Sequence, residues 1–155
     1  MNRREARELL FTLLYEAQFS APDEAEQIYA SAMRYREIED DKYVRRAFFG
    51  ARDHVSELDA LIDKHIRGWK SDRVSRVTRA IMRLCVYEFL YEDGIPQTVS
   101  INEAVELSKK YDRDGSSSFV NGVLNTIYRE LNADKFEEKQ DGTSEGSPAA
   151  VKDVN

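Results

Sequence analysis

Arginine is the residue type whose spacing in this sequence points most directly to a chemistry. Arg76, Arg79 and Arg83 stand at positions i, i+3 and i+7, which places all three on one face of a helix. A guanidinium binds phosphate through a planar fork of N–H donors, so this spacing is typical of an anion-binding or nucleic-acid-binding stripe. A solvated face that pairs with nearby carboxylates is the other interpretation, and the three positions alone favour it slightly.

These three arginines belong to a longer basic stretch in an acidic protein. Residues 64–83 contain seven basic side chains and one acidic side chain, whereas the 155-residue chain has a formal charge of −6. The remainder of the chain therefore carries a charge of −12. We expect this acidic remainder to repel a polyanion and to confine its binding to the basic stretch.

A second group of arginines opens the chain, where Arg3, Arg4 and Arg7 follow closely on one another. Arg3 and Arg7 share a helical face, although neighbouring glutamates offset their charge. Phe11 and Tyr15 lie four residues apart and off the main apolar stripe, so they could stack on a base or fill a partner's pocket. Packing of both rings against another helix of the same domain is the alternative that we favour.

Catalytic or metal-binding chemistry has little support in the sequence. Cys85, the single cysteine, lies in an apolar run where burial raises the pKa of a thiol, and we predict that it packs in the core. His54 and His65 lack the spacing of a metal-binding pair. Glu88 and Glu92 occupy successive helical turns, which is more typical of structure than of acid–base catalysis. We predict a binding protein that is not an enzyme and uses no cofactor or metal.

The elements that carry these residues are predicted to be helices, and the fold class is all-α. Seven glycines and three prolines leave few turns, which disfavours a fold of many short strands. Apolar residues recur at helical spacing along the chain. The predicted helices run from Asn2 to Phe19, from Asp23 to Arg34, from near Asp40–Asp41 to Val55, from Ser56 to Gly68, from Val74 to Tyr91, from Ser100 towards Asp112, and from a serine of 116–117 to Leu131. Ser100 and one of the serines at 116–117 are predicted to cap the last two helices.

The chain is predicted to divide into one folded domain and a tail. Residues 1–138 have a length typical of one domain. Residues 139–155 contain no aromatic residue, leucine or isoleucine, so we predict a disordered acidic tail there. No apolar run approaches the roughly 20 residues that span a bilayer, and the N-terminus lacks the pattern of a signal peptide. We expect a cytoplasmic protein with no membrane partner.

Four sequence blocks resemble a known protein family in their order and spacing. They are RREARE at residues 3–8, RAIMRLCVYE at residues 79–88, INEAVEL at residues 101–107 and FVNGVL at residues 119–124. Together they resemble the NusB family of bacterial transcription antitermination factors over roughly residues 3–132. The resemblance implies a compact NusB-like bundle of about seven helices in two packed subdomains.

The resemblance also implies binding partners. Family members bind boxA, a single-stranded element of nascent RNA, as a heterodimer with NusE, a protein of the small ribosomal subunit. The heterodimer and its RNA join the RNA polymerase antitermination complex with other Nus factors, notably on ribosomal RNA operons. Some relatives self-associate through the face that they otherwise use for partners, so the resemblance leaves open whether this chain forms a homodimer.

Residue roles follow from the matched blocks and from the basic stripe. The expected RNA-binding residues are Arg3, Arg4, Arg7, Arg76, Arg79, Arg83 and Phe119. The expected NusE-binding residues are Tyr15, Thr78 and Asp114. Two positions depart from the family pattern, because Glu5 stands where relatives can have a basic residue and Thr78 where they often have an acid.

The two most recognisable blocks each contain an asparagine. We interpret Asn102 and Asn121 as buried amides that bond to a helix end or to a loop backbone, with contact to RNA as the less favoured alternative. Gly122, which follows Asn121, is interpreted as a residue that permits close approach of another helix.

Two other functions remain as alternatives to RNA binding with NusE. One is a helical adaptor that binds protein only, which the overall acidity and Glu5 would favour. The other is an accessory NusB-like domain of a ribosomal RNA methyltransferase system, which would require a catalytic domain after the helical domain.

Overall fold

Seven α-helices make up the described part of the chain. The computed structural model describes residues 1–37, 40–66 and 74–133, and no strand occurs within these ranges. The helices are α1 (Arg3–Ala17), α2 (Ala25–Tyr35), α3 (Lys42–Asp53), α4 (Val55–His65), α5 (Arg76–Tyr91), α6 (Gln97–Tyr111) and α7 (Ser116–Leu131), with a short 3₁₀ turn at Pro22–Glu24. The predicted all-α class is confirmed. The predicted tail and the basic residues Arg67, Lys70 and Arg73 lie outside the described residues.

Local sequence explains where several helices begin. Asn2 caps α1 by accepting the Glu5 N–H at 2.8 Å, and the Glu5 carboxylate accepts the Asn2 N–H at 3.2 Å. Asp41 and Ser75 cap α3 and α5, each by accepting a backbone N–H three residues further on. The predicted break between the third and fourth helices is confirmed, at His54.

Two predicted caps are wrong. Helix α6 begins at Gln97, directly after Pro96, and Ser100 lies inside the helix with its hydroxyl donating to the buried Glu88 carboxylate at 2.6 Å. Helix α7 begins after Gly115, and among the described residues no serine side chain caps it. Gly115 has a φ of +88°, a left-handed conformation that glycine adopts without strain. In both cases tertiary contacts or turn geometry outweigh the local capping pattern.

Helix α5 is the centre of the bundle and contacts α1, α3, α4, α6 and α7. Ten of its sixteen residues are buried. Cys85 is among them, which confirms its predicted core packing, and burial raises the pKa of its thiol. No helix in the described part of the chain has the length and apolar character needed to cross a bilayer.

Contacts between helices fix their directions and give the bundle two ends. Gln18 donates to the Arg76 carbonyl at 2.8 Å and Arg7 pairs with Glu88, so α1 and α5 are antiparallel. Helix α6 returns antiparallel to α5 and therefore runs parallel to α1. At the α1 N-terminal end, α1 and α6 begin and α5 ends. At the α1 C-terminal end, α1 and α6 end and α5 begins.

Candidate nucleic-acid interface

Arg3 and Arg4 lie on the surface at the α1 N-terminal end. The Arg4 side chain is 73% exposed and pairs with Glu103 at 3.2 Å. The guanidinium of Arg3, which is also exposed, lies 4.1 Å from the centre of the Tyr43 ring. Among the described residues, no carboxylate or carbonyl group pairs with the Arg3 guanidinium. Its N–H donors are therefore available to an external anion.

Arg7 lies inside the bundle, in contrast to its neighbours. Its side chain is 4% exposed, and its Nε and Nη2 donate to Glu88 at 2.9 and 3.2 Å, while Nη1 reaches Glu103 at 3.3 Å. Burial acts to lower the pKa of Arg7, but the hydrogen bond and charge of Glu88 outweigh it and raise the pKa. This guanidinium therefore connects α1 to α5 and α6, and the predicted RNA contact at Arg7 stays a prediction.

Glu88 is the centre of a buried polar cluster that joins four helices. Its carboxylate is fully buried and accepts hydrogen bonds from Arg7 on α1, from the Tyr43 hydroxyl on α3 and from Ser100 on α6. Burial and the charge of Glu88 raise the pKa of Tyr43, so the phenol stays protonated and donates. A buried carboxylate requires such partners, since an unpaired buried charge is strongly destabilising.

The last two arginines of the predicted stripe are neutralised by α4. Arg83 forms a bidentate salt bridge with Asp59, in which Nε and Nη2 donate to the two carboxylate oxygens at 2.8 and 2.7 Å. Arg79 donates to Asp63 at 2.8 Å and lies 3.5 Å from Asp59. Both arginine side chains are partly buried. The structure has the alternative arrangement, in which the arginines pair with nearby carboxylates, and the predicted RNA contacts at Arg79 and Arg83 stay predictions.

Arg76 lies at the α1 C-terminal end beside two exposed aromatic rings. Its guanidinium is 4.7 Å from the centre of the Phe19 ring and donates to the Gln18 carbonyl at 3.2 Å. Tyr15 packs edge-on against Phe19, with ring centres 5.2 Å apart. Phe19 is 60% exposed and Tyr15 is also at the surface. Exposed aromatic rings beside an arginine are typical of a protein-binding surface.

The remaining predicted residues lie at or near the connection between α6 and α7. Thr78 is buried, and its hydroxyl donates to Asp112, so its predicted contact with a partner stays a prediction while its described contact is internal. Asp114, two residues further on, is exposed. Phe119 is half-buried in the first turns of α7 and packs against the core. Phe11 is buried inside the domain against Tyr111 of α6, as the favoured alternative predicted. Tyr15 instead lies at the surface, where its ring contact within the described residues is with Phe19 and not with another helix.

Three residues of the family blocks lie elsewhere than expected. Asn102 and Asn121 are exposed, so their interpretation as buried amides is wrong. Asn121 accepts a hydrogen bond from Asn125, one turn further along α7, at 3.0 Å. Within the described structure nothing lies within 4 Å of the position that a Cβ of Gly122 would take, so no helix approaches it closely.

The two histidines have structural partners. Nδ1 of His54 lies 3.1 Å from the Tyr91 hydroxyl, and the two rings stack with their centres 4.4 Å apart. Nε2 of His65 lies 2.9 Å from Glu130 on α7. Across residues 1–37, 40–66 and 74–133, no group of three or more histidine, cysteine, aspartate or glutamate side chains could hold a metal ion.

The surface residues of the predicted RNA site fall into two groups. Arg3 and Arg4 lie at the α1 N-terminal end, whereas Arg76 and Phe119 lie at the α1 C-terminal end. Helix α1 has 15 residues and is about 20 Å long, so the two groups are separated by roughly this distance. One RNA strand contacts both groups only if it runs along the bundle.

Sequence reasoning missed the residues that decide which arginines are free. A signal was present for Glu88, because a carboxylate in the apolar run of α5 must find a buried partner. Asp59 neutralises Arg83 from α4, and nothing in the local sequence connects these two residues. No signal marks Tyr43, since only the tertiary arrangement brings α3 next to the start of α1.

Comparison with known proteins gives a family match over most of the chain. The model of the NusB family matches residues 4–129. The transcription antitermination protein NusB of Agathobacter rectalis is 45% identical over 127 residues, which cover 80% of this chain and 97% of the relative. The protein of the same name from Bacillus pumilus is 40% identical over 131 residues, which cover 84% of this chain and 98% of the relative.

Solved structures give a similar result. T. maritima NusB is 36% identical, with a TM-score of 0.71, and the match covers 84% of this chain and 92% of that protein. A chain in the crystal structure of the antitermination factors NusB and NusE in complex with dsRNA is 27% identical, with a TM-score of 0.71. That match covers 83% of this chain and 96% of the other.

Proposed function

The chain belongs to the NusB family, and we propose that it binds the boxA element of nascent RNA as a heterodimer with NusE. As a transcription antitermination factor it is not an enzyme. In this proposal the heterodimer and its RNA join the RNA polymerase antitermination complex with other Nus factors, notably on ribosomal RNA operons. The relative crystallised with NusE and dsRNA supports both partners.

The observation that carries the RNA assignment is the free guanidinium of Arg3. Arg3 and the exposed Arg4 neutralise phosphates at the α1 N-terminal end, so affinity falls as salt rises. Arg76 and Phe119 form the second group of contacts at the α1 C-terminal end. In this proposal the half-buried Phe119 stacks on a base, and such a contact contributes about 1–3 kcal/mol per stacked base.

The proposed NusE surface lies at the α1 C-terminal end. Tyr15 and Asp114 are exposed there, as a partner contact requires. Phe19 adds a large exposed ring next to Tyr15 and extends the apolar part of this surface. Thr78 acts in the fold instead, through its bond to Asp112.

The proposal is tested by RNA binding with and without NusE. Fluorescence anisotropy measures the affinity for a short boxA RNA and for a scrambled RNA of the same composition, at two salt concentrations. We expect boxA to bind more tightly than the scrambled RNA, with a further gain when NusE is present and weaker binding at the higher salt concentration.

Two variants separate the proposed surfaces. Phe119→Ala should weaken RNA binding and leave NusE binding intact, whereas Tyr15→Ala should weaken NusE binding. If boxA binds no better than the scrambled RNA even with NusE present, the function reduces to a protein-only adaptor. Absence of both RNA and NusE binding in the wild-type chain would contradict the proposal as a whole.

A further inference from the structure

We propose that Tyr43 is a positioning residue for RNA binding, which holds the Arg3 guanidinium in a position to donate to a phosphate group of the RNA. The inference rests on the proposed function, because it concerns how the RNA surface is prepared. Tyr43 lies on α3, whereas Arg3 opens α1, and the guanidinium carbon is 4.1 Å from the centre of the tyrosine ring. Nothing in the sequence pattern connects these two residues.

The contact with the Tyr43 ring leaves the N–H donors of Arg3 without a hydrogen-bond partner among the described residues. A guanidinium that stacks on a ring uses its flat face, while its N–H donors point outward in its plane. In the described structure, a carboxylate engages Arg4 and a backbone carbonyl engages Arg76, but neither engages Arg3. An arginine already held in one position loses less side-chain freedom when it binds, which favours affinity.

The ring beneath Arg3 is itself held in place. Tyr43 is buried, and its hydroxyl donates to the Glu88 carboxylate. The same carboxylate accepts from Arg7 and from Ser100, so the ring is joined to α1, α5 and α6. The Tyr43 ring is therefore part of the core and keeps its position relative to the start of α1.

Another arginine–aromatic contact in the structure lacks this combination. Arg45 lies 5.5 Å from the centre of the Tyr29 ring, with Asp40 3.8 Å away, so a carboxylate competes for its charge. Only the Arg3–Tyr43 pair, within the described residues, joins a buried ring to an arginine that has no other polar partner.

The test compares two substitutions of Tyr43 in the full chain. Tyr43→Leu removes the ring, whereas Tyr43→Phe keeps the ring and removes only the hydroxyl. The probe is a short boxA RNA, and its affinity is measured by anisotropy for the folded protein. We expect Tyr43→Leu to weaken binding by about two- to fivefold, as for a partly solvated cation–π contact, and Tyr43→Phe to restore most of the affinity.

A double-mutant cycle with Arg3 separates positioning from general stability. In an Arg3→Ala background, Tyr43→Leu should weaken RNA binding no further, because the guanidinium that the ring positions is absent. Independent effects of the two substitutions would overturn the positioning role. So would wild-type affinity in folded Tyr43→Leu when Arg3→Ala alone weakens binding. If Arg3→Ala itself has no effect, the RNA surface under the proposed function fails instead.

A second measurement applies even if Tyr43→Leu does not fold. In the nuclear magnetic resonance spectrum of the wild-type chain, the Arg3 side-chain protons nearest the guanidinium should be shifted upfield by the ring current of Tyr43. The shift should persist in Tyr43→Phe. Arg3 protons at random-coil positions in both proteins would overturn the inference.

Discussion

The arginines of α1 and those of α5 differ in what lies next to them. Arg3 and Arg4 project from the start of α1, where Arg3 has an aromatic ring beneath it and forms no ion pair within the described residues. Arg79 and Arg83 stand on α5 opposite Asp59 and Asp63, which take up their charge. Both groups have the residue type and spacing that suit phosphate.

The difference shows that a basic stripe in a sequence is not yet a basic surface. Charge becomes available to RNA where a guanidinium has no carboxylate partner, as in Arg3, or stays largely exposed beside one, as in Arg4, whose side chain is 73% exposed next to Glu103. Helix α4 supplies such carboxylates to α5, whereas α3 supplies an uncharged ring to Arg3. Arg7 adds a third situation, because its charge is taken up inside the core by Glu88.

The largest effect should come from the internal arginine. Arg7→Ala removes the main cationic partner of buried Glu88 and should lower the free energy of unfolding by about 3–5 kcal/mol. Arg4→Ala removes an exposed ion pair and should cost less than about 1 kcal/mol. Urea denaturation of both variants measures the difference. Equal destabilisation by the two substitutions would remove the distinction between internal and surface arginines.

The pairing of α5 with α4 should be measurable as a coupling energy. Arg83→Ala, Asp59→Ala and the double variant form a cycle in which we expect a coupling of about 1 kcal/mol in the free energy of unfolding. Folded Arg83→Ala should bind RNA as the wild type does. A clear drop in RNA affinity in Arg83→Ala would return this residue to the RNA surface.

Removing the neutralising acid should expose the α5 arginines to RNA. Asp59→Asn frees Arg83 and should raise affinity for scrambled RNA by about twofold, the scale of one exposed charge pair. Glu26→Gln, on the exposed face of α2, is the control with the same change in charge. If both variants gain equally, net charge alone explains the effect.

The smallest effect concerns pH and the contact between α1 and α6. Hydrogen bonds from Lys110 and Tyr111 lower the pKa of Glu8 in the folded protein. Because the folded pKa lies below the unfolded one, this contact stabilises the fold above about pH 4.3, the usual value for a glutamate, and its contribution disappears as pH falls through the folded pKa. Glu8→Gln should flatten the fall in stability at acid pH. Identical pH profiles of urea midpoints in the two proteins would contradict this.

Helical periodicity is enough to predict the fold class and most helix positions. The apolar stripes of α1, α3 and α5 are local patterns, and burial of one face follows from them directly. The wrong starts of α6 and α7 have tertiary causes. Ser100 bonds to Glu88 from another helix, and the chain turns into α7 through the left-handed Gly115.

The candidate site is less predictable than the fold, because it depends on long-range pairs. No local pattern reveals that Asp59 meets Arg83 or that Tyr43 lies beneath Arg3. Asn121 and Gly122 are different, because they lie off the apolar stripe of α7 and their exposure follows from helical periodicity, which the interpretation of them as buried residues set aside. The residue types that could bind RNA are visible in the sequence, but their availability is not.

The measurement that tests the central claim most directly is the salt dependence of boxA binding in two double variants. Arg3→Ala/Arg4→Ala removes the surface pair, and Arg79→Ala/Arg83→Ala removes the neutralised pair. We predict that the first variant binds more weakly and that the slope of log affinity against log salt becomes shallower by about 0.7 for each phosphate that is no longer neutralised. The second variant should keep the wild-type slope. The opposite result, with the slope reduced only in the α5 variant, would contradict the account.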